Sequence, residues 1–191
     1  MNNHLKIIRP EVVFHPANLH LEGAPVTEQV RKLGDLKGIF QDQQAFELED
    51  PARIAYLVRS WLPVPEGQKG GLYFGASTIM PGKIGHEFFM TKGHSHLKSE
   101  QAEFYWGVQG TGMLILMDRE RNTWGEEVYP GSLHYIAGDM AHRLANTGSI
   151  PLIVGACWPS EAGHNYEEIA IHGFSARLVE KKGKPALIQS L

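Results

Sequence analysis

Between Ile54 and Trp158 the chain is a succession of short apolar or alternating segments, several of which are separated by glycine, proline or asparagine turns. The strongly apolar runs are brief, as in Met113–Met117, and fall far short of the roughly 20 residues that a membrane-spanning helix needs. Short strands at close spacing are typical of a β-sandwich or barrel, so the chain is predicted to be all-β. The predicted strands are Ile54–Arg59, Leu72–Met80, Glu87–Thr91, Ala102–Val108, Gly112–Met117, Thr123–Tyr129, Leu133–Ile136, His142–Asn146 and Leu152–Trp158.

The flanking segments are predicted to be extensions of one domain that spans residues 1–191. Residues 1–30 contain prolines and a glycine that favour loops, and Thr27–Leu33 has the cap and apolar spacing of a short helix. A second short helix is expected within 42–50. The lysine-rich run at 180–185 is predicted to be an exposed turn between two edge strands. These patterns place the barrel core at about 53–158, with an N-terminal extension over 1–52 and a C-terminal extension over 159–191.

Composition excludes some partners. The 191 residues include 18 basic and 21 acidic side chains, a net charge of −3, so the chain lacks the basic stripe that non-specific nucleic-acid binding requires. The first ten residues have no apolar signal region, which predicts a cytoplasmic protein with no membrane partner. The single cysteine, Cys157, excludes an internal disulfide, fits a reducing compartment, and is expected to be buried and inert within its apolar run.

Three histidines and one glutamate form the predicted chemical centre. His94 and His96 are two residues apart, so on a strand their imidazoles point the same way. Glu103 follows a short turn, and an antiparallel return would bring its carboxylate beside them. His142 lies 39 residues further on, after two more predicted hairpins. Three imidazoles and a carboxylate suit Fe²⁺, Zn²⁺, Ni²⁺ or Mn²⁺, and the absence of thiolates excludes a structural cysteine-type zinc site.

The segment from Gly131 to Asn146 resembles the second cupin motif, G-x5-P-x-G-x2-H-x3-N. Gly131, His142 and Asn146 match it, whereas Ala137 replaces the proline and Asp139 replaces the second glycine.

The first cupin motif, G-x5-H-x-H-x3,4-E-x6-G, is recognisable as well. His94, His96, Glu103 and Gly110 match it, but Phe88 stands where the leading glycine is expected, and six residues rather than three or four separate His96 from Glu103. Together the two motifs predict a metal-binding cupin barrel with a short helical and loop N-terminal extension.

The longer gap in the first motif narrows the resemblance. The chain is similar, over about residues 30–180, to the cupin-type glucose-6-phosphate isomerases of archaea and some bacteria. The segments that carry this resemblance are Pro81–His96, Ala102–Tyr105, Gly110–Leu114, Pro130–Gly131, Ala141–Arg143, Asn146–Gly148, Trp158–Ala170 and Gly173–Ser175.

The resemblance implies a homodimer with one metal per subunit, held by His94, His96, Glu103 and His142. The predicted ion is Fe²⁺, with Zn²⁺, Ni²⁺ and Mn²⁺ as alternatives. The predicted substrate is a sugar phosphate whose phosphate contacts fall, by resemblance, on Tyr56, Ser77, Thr91 and Gly93, with His164 nearby. Tyr166, two residues after His164, is a further candidate contact. Ordinary strand packing is the alternative for Tyr56 and Ser77, and loop capping is the alternative for His164 and Tyr166.

Several neighbouring residues extend this prediction. Tyr105 shares a strand face with Glu103, so it either contacts the sugar hydroxyls or fills the barrel interior. Lys92 and Arg143 are candidate phosphate donors. Two residues depart from the family pattern. Ser77 in place of threonine preserves a hydroxyl, whereas Trp158 in place of tyrosine removes one.

An aldose–ketose isomerase moves hydrogen between C1 and C2, and its barrier is the charge that develops on the two oxygens. A divalent ion stabilises that charge, and a carboxylate can carry a proton between the carbons through a cis-enediol. Glu103 is the only carboxylate of the group and is the candidate base, while a metal-assisted hydride shift is the rival route. The alternatives to an isomerase are another cupin enzyme, such as an iron dioxygenase, and a non-catalytic ligand-binding cupin.

Overall fold

The computed structural model describes residues 7–15 and 20–190. Its regular elements are strands β1 (Val13–His15), β2 (His20–Glu22), β3 (Val26–Lys32), β4 (Ile54–Trp61), β5 (Leu72–Ile79), β6 (Lys83–Ile84), β7 (Glu87–Phe88), β8 (Glu103–Gln109), β9 (Gly112–Met117), β10 (Thr123–Val128), β11 (Leu133–Ile136), β12 (Ala141–Asn146), β13 (Leu152–Pro159), β14 (Ala176–Lys181) and β15 (Lys184–Gln189), with a 3₁₀ turn at Leu33–Leu36 and helices α1 (Gln43–Glu47) and α2 (Glu167–His172).

Antiparallel sheets in two layers enclose the core. One layer is a six-stranded sheet in the order β11-β8-β13-β5-β4-β3; the other contains the sheets β10-β9-β12 and β15-β14-β7-β6. A single cluster of buried side chains joins the layers, drawing on Ile79 and Val154 from the first and on Leu114, Leu144 and Leu178 from the second. The prediction of an all-β fold is confirmed. No helix among the described residues is long and apolar enough to span a membrane.

The predicted helix at Thr27–Leu33 is wrong, because this segment forms strand β3. It pairs with β4 along its whole length, from Val26 opposite Trp61 to Lys32 opposite Ile54. An isolated helix of this length is marginal in water, whereas the ladder satisfies the backbone against an existing strand. The expectation that residues 1–30 are only loops is also wrong for the part that the structure describes, since β1 and β2 form a small hairpin there.

The predicted helix within 42–50 is confirmed as α1, and the Asp42 carboxylate caps it by accepting from the Ala45 amide at 2.9 Å. The run at 180–185 contains the turn of the β14–β15 hairpin, as predicted. Of these two strands only β15 is an edge strand, however, because β14 also pairs with β7. Helix α2 was not predicted; only Ile169 of its six residues is buried, so its apolar pattern is weak. Strands β3 and β14 lie outside the predicted barrel core of 53–158, yet each pairs with strands inside it. The predicted core boundaries therefore stay a prediction.

Two residues of the second cupin motif have structural roles. The Asn146 side chain is fully buried, donates to the carbonyls of Ile79 and Ile150 at 2.8 and 2.9 Å, and accepts from the Gly148 amide at 2.9 Å. Asp139, which replaces the motif's glycine, has a φ of 64°. Aspartate is one of the few side chains that tolerate this left-handed conformation, so the replacement keeps the turn.

The outer face of the six-stranded sheet is apolar at one end. Phe104, Leu133 and Tyr135 are exposed there, and the Phe104 and Tyr135 rings lie 5.3 Å apart. Trp106 lies directly opposite Leu133 and packs over Gly155. Cys157 belongs to the same face and is half-buried rather than fully buried as predicted. Burial, followed by the Glu103 charge, raises the pKa of its thiol, which keeps it protonated.

Candidate metal centre and active site

Four predicted residues converge at the centre of the barrel. Ligand atoms of His94, His96, Glu103 and His142 all lie within 4.8 Å of one another, and the last three side chains are buried. Glu103 Oε1 lies 2.7 Å from His142 Nε2 and 3.3 Å from His96 Nε2. Because donor atoms from three separate segments meet at this spacing, the group can hold one metal ion.

Strand pairing brings these segments together. Glu103 is the first residue of β8, and His142 is the second residue of β12. His94 and His142 exchange two backbone hydrogen bonds, with N–O distances of 3.1 and 2.9 Å. Ser95 makes a similar bridge with Asn165, so the run from His94 to His96 is held by isolated bridges and does not belong to a regular strand.

Backbone carbonyls orient two of the imidazoles. His96 Nδ1 donates to the Gln101 carbonyl at 2.8 Å, and His142 Nδ1 donates to the Met140 carbonyl at 3.3 Å. Each ring therefore directs Nε2 at Glu103, which is the tautomer and orientation that a metal ligand needs. His142 Nε2 and Glu103 Oε1 are fully buried, yet neither has a hydrogen-bond partner of acceptable geometry. Two orphaned donor atoms that face each other fit a site built around a cation.

The ionisation of the group also suits a cation. Burial by itself raises the pKa of Glu103, but the electrostatic influence of the adjacent His142 and His96 imidazoles outweighs it and holds the pKa well below its usual range. Burial, assisted by His142 and His164, lowers the pKa of His94 well below its usual value. The site therefore offers an ionised carboxylate and a neutral imidazole, and these are the forms that ligate metals.

A β-bulge shapes the cavity beside the metal ligands. Thr91 donates its amide to the Leu144 carbonyl at 2.9 Å and His94 pairs with His142, so Lys92 and Gly93 together face Arg143 alone. Gly93 has a φ of 78°, and a Cβ there would lie 3.0 Å from Arg143 Nε. The extra residue changes the side-chain alternation, and Thr91 and His94 consequently line the same cavity.

Arg143 fixes this bulge from behind. Its guanidinium donates to the Lys92 carbonyl at 2.8 Å and to Met90 Sδ at 3.1 Å, and lies 4.1 Å from the centre of the Phe174 ring. Burial, followed by the charge of Arg177, lowers the pKa of Arg143 to about 9, so the side chain stays cationic at neutral pH. A buried positive charge therefore lies directly behind the Lys92–Gly93 backbone.

The cavity has a volume of about 210 Å³ and includes three of the four metal-ligand residues. Every residue predicted to contact the substrate lines it, although the contacts themselves stay a prediction. Trp158 lies on the same wall and packs over Gly75, where a Cβ would come within 2.9 Å of the indole. The predicted contact residues are Tyr56, Ser77, Thr91, Gly93, Tyr105, His164 and Tyr166.

Three tyrosines and a histidine supply polar groups around the ligands. Burial, followed by the Glu103 charge, raises the pKa of Tyr105 well above its usual value, so its hydroxyl remains a hydrogen-bond donor. Tyr56 also has a raised pKa because of burial, in spite of a hydrogen bond from the Lys92 backbone and the charge of Arg31. His164 and Tyr166 stack in parallel at 5.8 Å at the exposed rim.

Sequence reasoning missed the contribution of β3. Gln29 and Arg31 line the cavity, and they share one face of this strand. The alternation of Thr27, Gln29 and Arg31 with Val26 and Val30 was the available signal, but the interpretation as a helix obscured it.

We expect His142→Ala to weaken metal binding by more than about 100-fold, because it removes one of the four candidate ligands and leaves Glu103 without its nearest imidazole. Metal content after dialysis and competition with a chromogenic chelator measure the effect. His172→Ala is the matched control, since His172 is an exposed histidine outside the group. Equal metal affinity in the His142→Ala and His172→Ala variants would contradict the assignment.

Comparison with known proteins identifies the family. The family model described as glucose-6-phosphate isomerase (GPI) matches residues 30–189. A glucose-6-phosphate isomerase from Thermococcus litoralis is 40% identical over 159 residues, covering 82% of this chain and 83% of the relative. One from Pyrococcus horikoshii is 37% identical over 174 residues, covering 89% of each. Among solved structures, an oxalate oxidase in complex with the substrate analogue glycolate has a TM-score of 0.46 at 9% identity and covers 76% of this chain and 56% of that one, which adds nothing to the assignment. The chain belongs to the glucose-6-phosphate isomerase family, as its motifs predicted.

Proposed function

We propose that the protein is a metal-dependent aldose–ketose isomerase that interconverts glucose 6-phosphate and fructose 6-phosphate in the cytoplasm. The observation that carries this proposal is the cavity that joins the His94, Glu103 and His142 side chains to the hydroxyl-bearing bulge at Thr91. A sugar phosphate needs both features, because its C1 and C2 oxygens require a Lewis acid and its phosphate requires donors. The family membership favours this function over a dioxygenase or a non-catalytic cupin.

The phosphate is proposed to lie at the bulge. Tyr56, Ser77 and Thr91 contribute hydroxyls on this wall, and the Gly93 backbone follows directly. The Thr91 hydroxyl accepts from the Leu144 amide at 3.1 Å, which leaves its own hydrogen free to donate. Arg143 adds a fixed positive charge behind the backbone, so the wall stabilises a dianion with few mobile lysines.

Fe²⁺ is the proposed resident ion, held by His94, His96, Glu103 and His142. When bound, a divalent ion supplies Lewis-acid polarisation of the sugar's carbonyl and hydroxyl oxygens. Zn²⁺, Ni²⁺ and Mn²⁺ are the alternatives, since three imidazoles and a carboxylate accommodate each of them.

Glu103 is the proposed base for the hydrogen transfer. In the cis-enediol route its carboxylate takes a proton from one of the two carbons and returns it to the other. In a hydride shift the hydrogen passes directly between the carbons and Glu103 takes no proton. Tyr105, His164 and Tyr166 supply the polar groups that position the sugar hydroxyls. Trp158 cannot contribute, because the indole has no hydroxyl where the family pattern has tyrosine.

We expect the purified protein to convert fructose 6-phosphate to glucose 6-phosphate, to lose activity after treatment with a chelator, and to regain it on addition of Fe²⁺. A coupled assay that reduces NADP⁺ through glucose-6-phosphate dehydrogenase measures the product. Mannose 6-phosphate in place of fructose 6-phosphate tests how far the site excludes the C2 epimer. Metal-loaded protein that fails to turn over either sugar would contradict the proposed function.

Two variants separate chemistry from phosphate binding. Glu103→Gln is expected to lower kcat by about 10²–10⁴ at full metal loading, because a positioned base is lost. Thr91→Ala is expected to raise KM more than it lowers kcat, because the phosphate contact is nearly equal in the ground and transition states. Thr91→Ser is the matched control and keeps the hydroxyl. Near-normal kcat in metal-loaded Glu103→Gln would reject Glu103 as the base and favour the hydride shift.

The apolar outer face of the six-stranded sheet supports the proposed homodimer. Phe104, Trp106, Leu133 and Tyr135 form one contiguous patch on β8 and β11. A patch of large aromatic and aliphatic side chains is costly to leave in water, and a second copy related by a two-fold axis would bury it against itself. The interface is therefore proposed to centre on this face of the sheet.

We expect the protein to be a dimer by light scattering at micromolar concentration, and Leu133→Asp to raise the dimer dissociation constant by at least about tenfold, because it places a charge at the centre of the patch. Leu48→Asp is the matched control, since Leu48 is an exposed leucine at the end of α1, away from this face. A monomeric wild-type protein, or equal dissociation of both variants, would contradict this interface.

A further inference from the structure

A second cavity lies behind the phosphate end of the first. It has a volume of about 610 Å³, and the two cavities share a wall that includes Arg31, Tyr56, Lys92 and Arg143. None of the four metal-ligand residues lines it. The part beyond the shared wall is formed by the chain after the 3₁₀ turn, by helix α2, and by the segment that leads into β14.

The lining of this second cavity is strongly cationic. Five lysine or arginine side chains contribute to it, whereas Asp35 is the single carboxylate among the lining residues. The Asp35 carboxylate already accepts from the Lys32 amide at 2.9 Å. The five cationic residues are Arg31, Lys37, Lys92, Arg143 and Arg177.

These cations are poorly neutralised within the part of the chain that the structure describes. Only Arg177 forms an ion pair there, at 2.8 Å from Glu87. Arg143 is 8% exposed, has no carboxylate partner, and its Nε is buried without a hydrogen bond; the Nε of Arg177 is orphaned in the same way. Buried like charges that lie close together destabilise the protein unless an anion compensates them.

The cavity offers more than a place for a bare ion. Ile39, Ile169 and Phe174 give it an apolar side, and its volume is that of a small-molecule site. Guanidinium groups match phosphate oxygens in geometry as well as in charge. We propose that this second cavity binds a small phosphate ester as a ligand separate from the isomerase substrate.

Such a ligand would act on the substrate through the shared wall. A phosphate in the second cavity would attract the same Arg31, Lys92 and Arg143 charges that stabilise the substrate's phosphate, and would repel that phosphate directly. The four candidate metal ligands, which include the proposed base Glu103, lie outside this second cavity. Binding there is therefore expected to raise KM and to leave kcat unchanged, and the rise reaches a plateau once the second cavity is full.

The test uses inorganic phosphate as the probe, at constant ionic strength, on metal-loaded protein. With the second site present, KM rises steeply at low phosphate as that site fills, and then follows the shallower linear rise of competition at the active site, because the second ligand and the substrate can bind at once. Phosphate that competes only at the active site raises KM linearly without limit. A linear dependence, unchanged by substitution of Lys37, would overturn the proposal.

Lys37→Glu isolates the second cavity, because Lys37 is exposed and lines only that cavity. We expect it to weaken the saturable effect of phosphate by about tenfold and to leave kcat and the phosphate-free KM unchanged. Lys184→Glu, on exposed β15, makes the same change of charge away from both cavities and is the matched control. An equal loss of the effect in both variants would mean general electrostatics and would also overturn the proposal.

Calorimetric titration of phosphate onto the metal-free protein makes the result independent of isomerase activity. If the wild-type protein binds phosphate and Lys37→Glu binds it about tenfold more weakly, the second cavity is an anion site even if the isomerase assay fails. If Lys37→Glu and Lys184→Glu bind phosphate equally, the second site is rejected while the isomerase proposal stands.

Discussion

The backbone pairing of the segment at 90–94 with β12 is the interaction on which the active site depends. One hydrogen-bonded bridge sets His94 beside His142, and the bulge next to it turns Thr91 toward the same cavity. A candidate metal ligand and a proposed phosphate donor thus share one short stretch of chain, fixed by main-chain bonds that do not depend on side-chain rotamers. The left-handed conformation of Gly93 and the hydrogen bond from the buried Arg143 guanidinium to the Lys92 carbonyl stabilise this irregular geometry.

The two ends of the cavity carry opposite charges. The Glu103 carboxylate is buried among imidazoles that lower its pKa, and the far wall carries cations with few carboxylates near them. An ion at one end and a phosphate at the other would complete both regions, since buried polar groups are stable only when partnered. The protein alone is electrostatically incomplete at both ends, as expected of a site that binds charged ligands.

Features encoded by residues close together in the sequence could be predicted, whereas features that depend on a distant strand could not. The spacing of His94, His96 and Glu103 is local, and the motif around His142 is specific, so their convergence was predictable from sequence. Strand β3 was not, because Thr27–Leu33 fits a helix as well as a strand, and only its partner β4 decides between the two. Because of the same error, the sequence did not indicate that Arg31 lines both cavities.

The all-β class, the family and the candidate ligands could be identified from the amino-acid sequence, because turn residues, alternation and motif spacing act over a few residues. Only the three-dimensional packing of the chain shows that Lys92 and Gly93 bulge opposite Arg143, that Trp158 packs on Gly75, and that cations with few carboxylate partners line a second cavity. These features arise where strands distant in sequence meet, and the free energy of a bulge or a buried charge depends on neighbours that no local pattern specifies.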